Sequence, residues 1–262
     1  MSVVVTKKSL GQHWLHDEII LNDMVEAANV QSGDTVLEIG PGLGTLSGQL
    51  LGKGAKVIAV EFDKELVPGL RKKFKNNPDF ILYQSDILRF DFSSLPSGYK
   101  VAANIPYYLT SNLLRLLCEM PNHFLFASLL VQKEVAERVC AVPGNMSLLS
   151  VSVQLYADAT LGAKVPANLF TPPPKVDSQI LCLTHLGKPR YAVDDKIFFK
   201  LVKAGFSERR KKLRSSLSSG LSVSKPEVEA LLAKANIDPH LRAQALALSD
   251  WKTLYDAYVK AE

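Results

Sequence analysis

Apolar residues along the chain fall into two patterns: short, nearly continuous runs, and stretches in which they recur every three to four positions. The first pattern marks strands buried on both faces, and the second marks amphipathic helices. Strands are expected over residues 34–39, 56–60, 80–83, 99–103 and 124–131. Helices are expected over 17–28, from the end of a glycine loop to Leu51, over 64–75, and over 109–117. Thr110 or Ser111 should cap the last of these. Pro68-Gly69 should kink or split the 64–75 helix. Residues 146–157 mix both periods and yield no assignment. Residues 168–177, with Pro172, Pro173 and Pro174, read as a stiff loop before a strand over 179–186. After a linker at 187–190 the alternation stops. Helices then follow over 194–206, 208–218, 225–235 and 251–258. This predicts an α/β domain with a mostly parallel, doubly wound sheet over residues 1–186, and a small all-helical domain over 187–262.

Composition narrows the class only slightly. The chain has 262 residues, 47% of them hydrophobic, which is enough for one sizeable core and a second small unit. No apolar run reaches membrane-spanning length, and the N-terminus lacks the apolar stretch of a secretory signal, so a cytoplasmic protein is expected. Its three cysteines are scattered and odd in number, which suits buried thiols and not a disulfide framework. His13 and His16 have no second ligand pair, so no metal site is expected. The net charge of +5 is weak support for a polyanionic partner.

The chemistry gathers at the C-terminal ends of the expected strands, where open α/β sheets bind ligands. The first strand carries Glu38 next to its last residue and runs into Gly40-Pro41-Gly42-Leu43-Gly44, a loop whose glycines allow close approach to the backbone. Glu61 ends the second strand, placed to accept both hydroxyls of a ribose. Asp86, followed by Ile87, ends the third and could accept an adenine amino group. The fourth strand leads into Asn104-Ile105-Pro106-Tyr107. That loop offers an amide oxygen, a carbonyl freed by the following proline, and an aromatic face. Two acceptors and a ring describe a pocket for an exocyclic amine on an extruded base. Phe170, held by the proline loop, could form a second wall or anchor that loop in the core. Upstream, Lys7, Lys8, Gly11 and Trp14 could track a phosphate backbone or close over a ligand. In the helical domain, Arg209, Arg210, Lys211, Lys212 and Arg214 crowd one expected helix, with Arg210, Lys211 and Arg214 on a shared face suited to phosphates.

These motifs resemble the rRNA adenine N6,N6-dimethyltransferases of the KsgA type, along nearly the whole chain. The resemblance is carried by Leu10-Gly11-Gln12-His13-Trp14-Leu15, by residues 38–44, by Glu61 and Asp86, by Asn104-Ile105-Pro106-Tyr107, by Gln132-Lys133-Glu134-Val135 and by residues 170–178. It implies a class I, Rossmann-like methyltransferase sheet of seven strands with the last antiparallel, and S-adenosylmethionine as methyl donor. It further implies cofactor contacts at His13, Leu15, Gly40, Glu61, Asp86 and Asn104. The family often carries Asn where this chain has His13, and Phe where it has Trp14. The implied substrate is a pair of adjacent adenines in a hairpin loop near the 3′ end of small-subunit rRNA, each methylated twice, on free rRNA or an assembling 30S subunit. A monomer is expected. Residues 237–246 look like the small-subunit branch, with Gln244 in place of a usual acid. A DNA adenine methyltransferase, a non-catalytic assembly factor and a dehydrogenase are the rival readings.

Overall fold

A computed structural model describes residues 12–260. Lys7, Lys8 and Gly11 lie outside the described residues. In chain order the elements are β1 (Trp14–Leu15), α1 (Glu18–Ala27), β2 (Thr35–Ile39), α2 (Thr45–Gly52), β3 (Lys56–Glu61), α3 (Val67–Lys73), β4 (Phe80–Gln84), β5 (Lys100–Asn104), α4 (Thr110–Glu119) and β6 (Phe126–Gln132). They continue with α5 (Lys133–Val139), α6 (Leu148–Gln154), β7 (Ala157–Val165), β8 (Phe170–Thr171), β9 (Ser178–His185), α7 (Asp195–Phe206), α8 (Leu213–Leu221), α9 (Lys225–Lys234) and α10 (Leu248–Val259).

The main sheet has seven strands in the order β4-β3-β2-β5-β6-β9-β7. β4 to β6 pair in parallel, and β9 runs antiparallel to β6. This is the arrangement that the resemblance implies. The order reverses beside β2, whose neighbours are β3 and β5, so the connections that leave the carboxyl ends of β2 and β5 diverge and open the crevice that such sheets use for ligands. The central strands are fully buried, with Val36, Leu37, Val101, Ala102 and Ala103 inaccessible to solvent. That is why they read as unbroken apolar runs. α1 covers the sheet with Ile20, Leu21, Met24 and Val25, and Asp17 caps it by accepting from the Ile20 amide. A separate two-stranded ribbon pairs β1 with β8, Trp14 opposite Thr171 and Leu15 opposite Phe170.

The described residues form two compact units. One runs to Glu137 and resumes over Asp158–Gly187; the other joins Arg138–Ala157 to Lys188 and beyond. The unit changes between residues 187 and 188, and residues 138–157 group with the second unit although Ala157 opens β7. Arg190 N–H donates to the Leu155 carbonyl, the Gly144 and Met146 amides both donate to the Gln244 carbonyl, and Gln244 Nε2 donates to the Gly144 carbonyl. Residues 146–157 resolve into a short helix and the start of β7. α6 carries a reciprocal Ser147/Ser150 cap, so capping chemistry, not periodicity, defines it.

Three local expectations need correction. Pro68 does not kink a helix: α3 begins at Val67, which puts Pro68 in its first turn, where the missing N–H is no loss. Neither Thr110 nor Ser111 caps α4. A 3-10 turn over Tyr107–Leu109 runs straight into it, with Leu109 already helical at the cap position. Finally, residues 209–212 are not helical; they form a turn and extended backbone ahead of α8. Arg210, Lys211 and Arg214 therefore do not share a helix face.

Candidate active site

The crevice at the strand ends is a cavity of about 310 Å³. Its lining includes His13, Trp14, Gly40, Gly42, Glu61, Asp86, Ile87, Asn104, Ile105, Pro106 and Tyr107. Segments far apart in the chain meet there because four parallel strands deliver their carboxyl ends to one edge.

Two glycines shape the floor. Gly40 has φ +69° and Gly42 φ +58°, in the left-handed region. A side chain at Gly40 would meet no protein atom within 4 Å, so the bare backbone is kept open toward the crevice. Glu61 braces this loop from below. It is only 5% exposed, and its two oxygens accept from the Gly42 amide at 3.1 Å and the Asp63 amide at 2.7 Å. Burial raises the pKa of Glu61, against the lowering effect of those amides and of the Phe62 amide. Asp86 caps the turn that follows β4, one carboxylate oxygen accepting from the Leu88 amide at 3.0 Å. This capping role and a cavity-facing role coexist, since the second oxygen has no protein partner among the described residues. Open glycine backbone, the Glu61 carboxylate, and the Asp86 carboxylate beside an apolar wall of Leu66, Ile87 and Leu88 meet in one crevice, a set of groups that suits S-adenosylmethionine. Phe62, 60% exposed beside Glu61, adds an aromatic face that the sequence reading did not single out.

The end of the crevice beside β5 is organised by His13. Asn104 Nδ2 donates to the His13 carbonyl at 2.9 Å. A carbonyl only accepts, so this bond sets the rotation of the amide, and Oδ1 is left without a protein partner among the described residues. The His13 ring is also tied down: Nδ1 lies 2.7 Å from the Pro172 carbonyl and must carry the proton in that contact. His13 and Tyr107 stack, with ring centroids 5.9 Å apart and planes 24° apart. The Tyr107 hydroxyl meets Ser178 Oγ at 2.8 Å, and burial raises its pKa. Ile105 N–H donates to the Leu130 carbonyl, while the Ile105 carbonyl accepts nothing among the described residues. The β1·β8 ribbon makes this convergence possible. It brings the N-terminal segment and the proline loop, which contains a cis Thr171–Pro172 peptide, to the end of β5.

Four expected site residues lie elsewhere. Phe170 is 3% exposed, belongs to the hydrophobic core and does not line the cavity; it anchors the proline loop. Leu15 likewise packs in the core, and its carbonyl accepts from Thr45 Oγ1 at 3.1 Å. Gly44 supports α3 instead of a ligand: with φ +71°, a Cβ there would sit 2.7 Å from the Phe74 ring. Glu38 is 1% exposed and accepts from Ser47 Oγ at 2.5 Å, away from the crevice.

Burial pushes Glu38 up to about 8, the Ser47 bond opposes this, and the neighbouring Glu61 carboxylate adds to it. The sign of the resulting pH dependence follows directly. Between the ordinary value of 4.5 and about 8 the folded state holds a proton that the unfolded state has released, so stability falls as pH rises through that window. The limiting slope is about 1.4 kcal/mol per pH unit. Glu38→Gln should flatten this decline and match or exceed the wild-type melting temperature at pH 8. Melts at pH 5 and pH 8 check it, and an unchanged difference between the two would contradict the assignment.

Comparison with known proteins agrees with this architecture. The chain matches the family described as ribosomal RNA adenine dimethylase over residues 4–260. It is 42% identical to a ribosomal RNA small subunit methyltransferase A of Dehalococcoides mccartyi, covering 97% of this chain and 89% of the relative. It is 38% identical to the protein of that name from Clostridium botulinum, covering 95% and 92%. Among solved structures it superposes on a dimethyladenosine transferase from Plasmodium falciparum with a TM-score of 0.80, at 27% identity over 95% of this chain and 98% of that one. The 23S rRNA methyltransferase ErmE gives 0.74 at 26% identity over 93% and 98%. A match that runs from before β1 to beyond α10 leaves no unit of the chain outside it: the chain belongs to the ribosomal RNA adenine dimethylase family, and is an S-adenosylmethionine-dependent rRNA adenine dimethyltransferase.

Proposed function

We propose that this enzyme dimethylates the N6 amines of two adjacent adenines in the 3′-terminal hairpin loop of small-subunit (16S) rRNA, acting as a monomer in the cytoplasm on the assembling 30S subunit. The observation that carries the reading is the Asn104–His13 bond, because it leaves an amide oxygen and the adjacent Ile105 carbonyl as the acceptors beside an aromatic ring. Relatives named small subunit methyltransferase A support the choice of subunit. No helix among the described residues is long and apolar enough to cross a membrane.

S-adenosylmethionine supplies a sulfonium methyl, an electrophile that needs no further activation. The adenine amine is the poor partner, since its lone pair is delocalised into the ring. The protein's task is therefore orientation. Asn104 Oδ1 and the Ile105 carbonyl accept the two amine hydrogens and favour a pyramidal nitrogen whose lone pair points out of the base plane. Tyr107, immobilised by Ser178 and His13, stacks on the base; one such stack is worth roughly 1–3 kcal/mol. No base is needed before attack, because the nitrogen becomes acidic once it is cationic. A singly methylated amine retains one hydrogen, so one acceptor must release its partner before the second transfer. Gly40, Gly42, Glu61, Asp86 and Ile87 hold the donor, with His13 and Trp14 closing over it.

Phosphate contacts fall to the helical unit. Lys211 pairs with Glu208 at 2.5 Å and Arg214 with Glu229 at 2.7 Å, while Lys212 meets His240. Arg209 and Arg210 are exposed and make no ion pair among the described residues, so they are the pair best placed to meet RNA. Reversing both, Arg209→Glu with Arg210→Glu, should weaken RNA binding and reduce the dependence of log K on log salt by roughly one to two units. An unchanged slope would remove these residues from the interface.

The substrate assignment is tested by incubating the enzyme and labelled methyl donor with small subunits, large subunits and duplex DNA, then digesting to nucleosides. N6,N6-dimethyladenosine from small subunits is expected. Label confined to large subunits or DNA would overturn it.

A further inference from the structure

We propose that Tyr108 is the stacking platform for a second nucleobase, the unpaired RNA base flanking the target adenine. Tyr108 lines the mouth of the cavity and is 64% exposed. It makes no hydrogen bond and no ring contact among the described residues, whereas its neighbour Tyr107 makes both. The two rings cannot serve one base. They sit on consecutive positions of a 3-10 turn, where each residue is rotated by about 120° from the last. Tyr107 is turned inward against His13, so Tyr108 is turned outward.

The backbone that carries the outward ring is nevertheless held in place. Its turn is closed by the Leu109 amide on the Pro106 carbonyl at 2.9 Å, and anchored by the Ile105 amide on the Leu130 carbonyl at 3.1 Å. Pro106 restricts the entry to the turn, and α4 begins directly after it. A large aromatic on rigid backbone, bare of partners and set at the rim of a base pocket, has the attributes of a single-strand stacking residue. An extruded adenine leaves its neighbour on the strand without its stacking partner, and a ring one residue beyond Tyr107 is positioned to replace it. Stacking recognises any base, so the subsite enforces an unpaired neighbour and not a particular sequence.

The inference rests on small-subunit rRNA being the substrate, and its test separates the two claims. Methyl transfer is measured on small subunits reconstituted with rRNA whose nucleotide flanking the target is intact or abasic, using wild type, Tyr108→Ala, Tyr108→Phe and Tyr108→Trp. Tyr108→Ala should lower kcat/KM on intact subunits roughly tenfold, the order expected from removing one base–aromatic stack. The abasic substitution should lower the wild-type value by a similar factor, and the two together should cost no more than either alone. Phe and Trp should preserve the wild-type value, and the Kd for S-adenosylmethionine should be the same in all variants. Losses that multiply, or no loss at Tyr108→Ala, would overturn the subsite while leaving the substrate reading intact. Weakened cofactor binding with unchanged RNA dependence would overturn it by moving Tyr108 to the cofactor. Wild-type inactivity on intact subunits would refute the substrate reading, and the subsite with it.

Discussion

Asn104→Ala should reduce kcat by roughly 10²–10³-fold, the scale of losing one preorganised polar contact at a reacting centre, while cofactor affinity changes by only a few-fold. The substitution removes Oδ1, one of two acceptors for the amine hydrogens, and releases the His13 carbonyl from its bond with Nδ2. The base can still stack on Tyr107, so RNA affinity should largely survive. Asn104→Asp is the informative companion. It retains an acceptor but sets a carboxylate oxygen where Nδ2 met the His13 carbonyl, two acceptors face to face. Its activity should fall between wild type and the alanine variant. Single-turnover rates with saturating donor, together with calorimetric cofactor affinities, check both. Near-normal turnover in Asn104→Ala would contradict the role given to the amide.

Glu61→Gln should weaken S-adenosylmethionine binding at least tenfold while kcat at saturating donor stays within several-fold. Both glutamate oxygens accept backbone amides, from Gly42 and from Asp63. A glutamine offers one acceptor and one donor, so one of those buried N–H groups would face an NH2 group. An unsatisfied buried donor costs about 1–3 kcal/mol, and a tenfold change in affinity corresponds to about 1.4 kcal/mol. The glycine loop loses its brace in the same step as the ribose site loses an acceptor. Melting temperature should therefore fall along with affinity, and saturating donor should recover part of the loss. Unaltered affinity would mean that Glu61 is only a structural brace.

Much of this was legible in the sequence because the central strands are buried on both faces. Strands β2, β3, β5 and β6 are largely apolar runs; Gly40, Glu61 and Asn104 lie at the carboxyl ends of β2, β3 and β5, and Asp86 lies just past the more exposed β4. Legibility failed where local pattern and tertiary demand differ. β1 and β8 are two residues each, too short for any period, yet their pairing is what brings His13 to Asn104. Glu38 and Gly44 adjoin Gly40 and Gly42 in sequence but do not line the crevice with them. Side chains along a strand alternate faces, and Glu38 turns to Ser47. Phe170, read either as a cavity wall or as an anchor, settles as the anchor opposite Leu15. Residues 208–212 are rich in helix formers, but their propensity is overridden: the Leu213 amide donates to the Leu241 carbonyl and the Arg214 amide to the Pro239 carbonyl, which starts α8 later than the composition suggests.

The orientation of the target amine is the claim on which the mechanism depends. It is tested most directly by a crystal structure of the enzyme with S-adenosylhomocysteine and an RNA carrying the target adenine. The adenine N6 should lie within hydrogen-bond distance, about 2.7–3.2 Å, of both Asn104 Oδ1 and the Ile105 carbonyl oxygen, with its ring against Tyr107. An extruded base whose N6 contacts neither oxygen would contradict the account.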